Sequence, residues 1–238
     1  MPTSPTRQGD RSALKPISNS APQVPPQWSD WRWQLREAVR SPSDLLRGGW
    51  IEREAYQDFQ ALTAQFKTLI TPYYLSLIDR QDPDCPIQKQ AIPSLAELRA
   101  HPGERADPIG DQAHSPTSII VHRYPDRALL FPTFECPMFC RYCFRKEALN
   151  DQPIKLHQAL PDSLSYLRGH PEIKEVILSG GDPLMLSTPK LSSLIAQLIE
   201  VGIQRLRIHS RMPVTLPQRI DDELSQALGQ AQRSLTIT

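Results

Sequence analysis

Three of the chain's four cysteines fall within eight residues, Cys136-Pro-Met-Phe-Cys140-Arg-Tyr-Cys143, separated by three and then two residues. Thiolates this close on one short loop are metal ligands before they are anything else, and disulfides between such neighbours would close strained, tiny rings. Three local thiolates with no second cysteine pair downstream suit a [4Fe–4S] cube whose fourth iron stays open to an outside ligand. An open position means chemistry rather than scaffolding. The competing reading is a structural zinc loop whose fourth ligand comes from elsewhere in the chain. Arg141, Arg145 and Lys146 add positive charge that favours thiolate and partly offsets an anionic cluster. The remaining Cys85 stands alone in a polar linker and reads as an incidental loop thiol.

Two further stretches carry chemistry-bearing residues. Leu178-Ser-Gly-Gly-Asp-Pro-Leu184 closes an apolar run. There Gly180 and Gly181 let the backbone approach a ligand, and Asp182 can receive an ammonium group; on its own the stretch is also an ordinary strand-to-helix turn. His122-Arg-Tyr-Pro-Asp-Arg127 supplies Arg123, Tyr124 and Arg127, a good clamp for a phosphate. Alternatively it is a charged strand edge with Arg127 paired to Asp126. His101, Glu104, Asp107, Asp111 and His114 are spaced irregularly in a loop bearing Pro and Gly, so they read as solvated residues rather than a metal site.

These residues need elements to hold them. Residues 1–27 are rich in Pro, Ser, Thr and Gln and too poor in large apolar groups to offset ordering entropy, so a disordered tail is expected. Residues 28–115 read as a helical region and linker. One helix starts near Trp28 with Ser29 or Asp30 as cap, another starts at Ser41, and an amphipathic helix covers 52–70. The tryptophans are expected to pack in a core. Over residues 116–238, strand-like runs at 118–122, 128–134, 175–179, 205–210 and 234–238 alternate with helices at 161–168, 189–201 and 221–230. That alternation predicts an α/β fold of parallel βα units, an incomplete (β/α) barrel. A closed barrel needs about 200 residues or more, so a truncated chain is expected. A net charge of +1 argues against a nucleic-acid partner. With no run of eighteen apolar residues and no signal-peptide pattern, the reading is a cytoplasmic protein with reduced thiols and no membrane.

Cys-x3-Cys-x-Tyr-Cys, with Tyr142 before the last cysteine, resembles the radical S-adenosylmethionine superfamily. Taken with Thr71-Pro-Tyr-Tyr74, the 122–127 stretch, Cys140-Arg-Tyr-Cys-Phe-Arg-Lys146, Ser179-Gly-Gly-Asp-Pro-Leu184 and Arg207-Ile-His-Ser-Arg-Met-Pro-Val214, the chain is similar to lysine 2,3-aminomutases from about Trp31 onward. The resemblance implies an isomerase that uses a [4Fe–4S] cluster, S-adenosyl-L-methionine and pyridoxal 5'-phosphate for a 1,2-amino migration on a small amino acid. It also implies an electron donor for the cluster, and leaves homo-oligomerisation open. By position it implies that Cys136, Cys140 and Cys143 hold the cluster. Tyr142, Gly180, Gly181, Asp182, His209 and Arg211 would face S-adenosylmethionine. Arg123, Tyr124 and Arg127 would hold the pyridoxal phosphate, and Arg145 the substrate carboxylate. The family's pyridoxal-binding lysine and its side-chain-binding acids lie past the position where this sequence ends, so this chain is expected to be inactive alone. Relatives that modify a lysine of elongation factor P share the same front half. A non-catalytic zinc- or cluster-binding module and a radical reaction without pyridoxal phosphate are the other readings.

Overall fold

The computed structural model describes residues 25–99, 102–150 and 154–238, with only the backbone of Asn150. The expected tail therefore lies outside the described residues over 1–24, as does His101, while Pro26–Ser29 forms a short 3-10 turn. Helix α1 (Trp31–Arg36) is capped by the Asp30 carboxylate, which accepts from the Arg32 N–H. Helix α2 (Pro42–Arg47) opens with a reciprocal capping box between Ser41 and Asp44. Helix α3 (Tyr56–Gln65) is shorter than the expected 52–70. Beyond it Phe66 is extended, and Phe66, Thr68 and Ile70 are buried at alternate positions, the period of a strand. Ile70 pairs with Val39 in an isolated antiparallel bridge, so tertiary pairing overrides the helical pattern there. Helices α4 (Pro72–Ser76) and α5 (Pro86–Ala91) complete the region. Cys85 caps α5 and is 3% exposed, packed in a cluster with Leu45, Leu62 and Tyr74: a core thiol rather than a loop thiol.

Five strands follow in spatial order β1 (Ile120–Tyr124), β2 (Arg127–Thr133), β3 (Glu175–Gly180), β4 (Arg205–Ile208) and β5 (Thr236–Ile237). From β2 to β5 all pairings are parallel. The β1–β2 pair is antiparallel, which corrects the expectation of parallel units throughout. Only Pro125 and Asp126 join those strands, and so short a link can connect only antiparallel neighbours. Helix α6 (Lys146–Asn150) follows the cysteine loop, and α7 (Leu156–Gly169), α8 (Thr188–Glu200), α9 (Met212–Thr215) and α10 (Asp222–Ala231) cover or cap the strands. Helix α7 begins well before Pro161 and carries that proline inside it, because Leu160, Leu164 and Leu167 form one continuous buried stripe.

One sheet face is sealed by this helical layer: Leu130, Val176, Leu178 and Leu206 pack with Leu164, Leu167, Leu191, Leu194 and Leu198. Each such leucine, fully removed from water, contributes about 2 kcal/mol. The other face carries the register row Leu129, Ile177 and Arg207, all only partly buried. The sheet is open, as expected for an incomplete barrel. No helix among the described residues is long and apolar enough to cross a membrane.

Candidate metal and cofactor site

The cysteine loop leaves the end of β2, and the turn that ends β3 is bonded to its root. The Gly181 N–H donates to the Thr133 carbonyl at 2.9 Å and the Asp182 N–H to the Glu135 carbonyl at 2.8 Å. A Cβ on Gly181 would lie 2.2 Å from the Glu135 carbonyl oxygen, and Gly180 adopts φ +101° with Phe131 and Thr133 against it. Protein backbone thus comes close enough here to require glycine, on the wall of the same cavity. Asp182 is likewise spoken for. Its carboxylate accepts from the Leu184 N–H at 3.0 Å, the Ser210 hydroxyl at 2.9 and 3.0 Å, and the Arg211 N–H at 2.7 Å. Burial pushes its pKa up, against these donors. In this structure the acid ties the end of β3 to the end of β4, instead of offering a free acceptor to an ammonium group.

Around this strut the expected residues converge. Cys136, Cys140, Cys143, Tyr142, Gly180, Gly181, Asp182, His209 and Arg211 line one cavity of about 540 Å³, and Arg145 lines it too. Burial pushes the Cys136 and Cys143 thiols up. Arg211 reaches Cys140 Sγ with Nη1 at 2.7 Å, and the same nitrogen contacts the Tyr142 hydroxyl. Its Nη2 donates to Gln90 Oε1 at 3.0 Å. Among the described residues, no three His, Cys, Asp or Glu side chains converge tightly enough for a single metal ion.

The helical region supplies the back wall, which the sequence reading missed. Arg141 makes a bidentate pair with Glu97 at 3.0 and 2.6 Å and donates to the Lys67 carbonyl at 3.0 Å. The Arg141 N–H donates to the Gln90 carbonyl, the Phe139 N–H to that of Leu69, and Met138 is buried among the helices. Ser94-x-x-Glu97 reads locally as a capping box, which it forms; its partnership with an arginine 44 residues away has no local signal.

At the other end of β2, Arg123, Tyr124 and Arg127 line a cavity of about 290 Å³ with Leu129 and Ile177. The seven-residue strand puts roughly 20 Å between this end and the cysteine loop. Arg127 lies over the Tyr124 ring at 4.9 Å, and its 3.7 Å pair with Asp126 is solvent-exposed and weak. Two guanidiniums and a phenol beside an apolar floor fit a phosphate carrying an aromatic ring. Arg145 packs against the faces of Phe131 and Phe144 and is paired with Asp111 at 3.1 Å. Asp111 also lies 3.5 Å from Arg123, and at 16% side-chain exposure it is not the solvated loop residue expected. Asp107 holds it there by accepting the Asp111 and Gln112 N–H groups, which lower the Asp107 pKa.

A family model described as a 4Fe-4S single cluster domain matches residues 126–211, from the root of β2 to the arginine at Cys140. The L-lysine 2,3-aminomutase of Clostridium subterminale is 39% identical over 204 residues, 84% of this chain and 49% of that protein. The L-lysine 2,3-aminomutase of Escherichia coli (strain K12) is 35% identical over 210 residues, 87% of this chain and 60% of that protein. A glutamate 2,3-aminomutase of Clostridioides difficile is 34% identical over 203 residues, 84% of this chain and 48% of that protein. The chain spans about half the length of the curated relatives it matches.

Proposed function

We propose that the chain, which is 37–39% identical to two L-lysine 2,3-aminomutases and matches a 4Fe-4S single cluster domain, belongs to the radical S-adenosylmethionine enzymes of that family and is the cluster- and cofactor-binding part of an amino-acid 2,3-aminomutase. The observation that carries this reading is the pair of cavities on one strand, thiols at one end of β2 and the arginine–tyrosine clamp at the other. When bound, the cluster with S-adenosylmethionine supplies a hydrogen-abstracting radical, and pyridoxal phosphate supplies a π-system for the migrating nitrogen.

The chain's own residues do the holding. Cys136, Cys140 and Cys143 supply three thiolates and leave one iron open. Arg211, beside Cys140, offsets their negative charge, and with His209 and Tyr142 it forms the wall facing S-adenosylmethionine. Gly180, Gly181 and Asp182 fix the distance between the cysteine loop and the end of β4. Arg123, Tyr124 and Arg127 hold the phosphate, and Arg145 takes the substrate carboxylate, for which a planar guanidinium is suited. The substrate is a small amino acid and the cluster is reduced by an external electron donor. Complete turnover draws on the lysine and acids that the resemblance puts beyond residue 238, so the first test is of binding. Anaerobic reconstitution should give about four irons per chain and a reducible, coloured cluster, lost in Cys140→Ala. One zinc per chain without visible absorption would reject the reading in favour of a structural module.

A further inference from the structure

We propose that Asp111 is the positioning residue that presents Arg145 to the substrate carboxylate and links it to the phosphate clamp. This rests on the reading of Arg145 given above. Arg145 stands in the wall between two cavities. One is the cysteine cavity; the other, of about 410 Å³, is lined by Asp111, Phe144 and Arg145 among others. Asp111 lines only the second, so it grips the guanidinium from behind. Its Oδ2 lies 3.1 Å from both Nε and Nη2 of Arg145, which takes up the side edge of the guanidinium. The edge formed by Nη1 and Nη2 is the one a second carboxylate takes in bidentate fashion.

Three physical points favour a positioning role. Arg145 packs over the rings of Phe131 and Phe144, which restrain its plane but leave rotation within that plane unfixed. Asp111 supplies that missing constraint. The backbone that carries the carboxylate is itself held by Asp107, which accepts the Asp111 and Gln112 N–H groups, so Asp111 projects from a fixed turn. Its other oxygen lies 3.5 Å from Arg123, so one carboxylate is shared between the two arginines and couples their positions. An aspartate serving as a removable stand-in for substrate would be the opposite device, and it predicts the opposite result.

The test uses the reconstituted chain with S-adenosylmethionine and pyridoxal phosphate present, and compares the Kd of L-lysine with that of L-lysine methyl ester, which lacks the carboxylate. The parent chain should prefer lysine. Asp111→Asn should cut that preference about tenfold, the loss expected for a charge-assisted contact, with iron content and S-adenosylmethionine affinity unchanged. Asp111→Glu should recover part of it, which loss of folding could not explain. If Asp111→Asn keeps the full preference while Arg145→Lys loses it, the positioning role is wrong and the reading of Arg145 stands. Tighter lysine binding in Asp111→Asn would make Asp111 a competitor and likewise overturn the proposal. If Arg145→Lys itself retains the preference, the underlying assignment fails and the proposal falls with it.

Discussion

Removing the Glu97 carboxylate would leave the Arg141 guanidinium, 8% exposed, with the Lys67 carbonyl in place of a counter-ion. Breaking a largely buried pair from one side costs about 3–5 kcal/mol, and here the strain falls on a residue directly between two cysteines. Glu97→Gln is therefore expected to retain several-fold less iron after reconstitution while still folding. Iron analysis alongside circular dichroism checks this; unchanged iron would make the pair dispensable. At this scale the cysteines were legible because metal ligands on one loop must be neighbours in sequence. Glu97 and Gln90 were not, because their partners Arg141 and Arg211 lie across long loops of chain. Asp111 reads as solvated in the sequence, since a loop aspartate and a buried ion pair look alike until Arg145 is placed against it.

At the scale of elements, the β3 turn and the cysteine loop are in backbone contact, and a single methyl tests it. In Gly181→Ala the new Cβ would sit 2.2 Å from the Glu135 carbonyl oxygen, backbone that cannot move without shifting the root of the loop. The expected outcome is a lower melting temperature and a cluster lost on gel filtration, with the sheet signal retained. A variant that holds its iron as firmly as the parent would show the turn to be adaptable. The alternation of strands and helices was readable here because buried parallel strands are short apolar runs bounded by turn residues. What could not be read was the end of α3, where Phe66, Thr68 and Ile70 obey a strand's period set by Val39 across the bridge. The antiparallel β1 was also missed, though the two-residue link to β2 implied it.

Over the whole molecule, two apolar cores meet, and the cysteine loop lies on the seam between them. Met138 belongs to the core of the helical region, although the chain has already entered the sheet when it is reached. Within the sheet core, Arg219 is fully buried: it donates to the Leu184 and Leu186 carbonyls and to the Thr188 hydroxyl, and lies over the ring of Trp31 of α1, which packs against that core. Burial lowers its pKa, so its charge is held at a cost that these contacts offset. Arg219→Met keeps the bulk but strands those acceptors, and should lower stability by about 3 kcal/mol in urea unfolding. A change of under about 0.5 kcal/mol would mean that apolar packing alone holds α1 on the sheet core.

The length of β2 acts as a gauge between the arginine–tyrosine cluster and the thiols. Inserting one residue into that strand would turn every later side chain to the opposite face. Inserting two would preserve the faces and add about 7 Å to the gap. The seven residues from Arg127 to Thr133 therefore fix the distance between the arginine–tyrosine cluster and the cysteine loop, whatever either end binds.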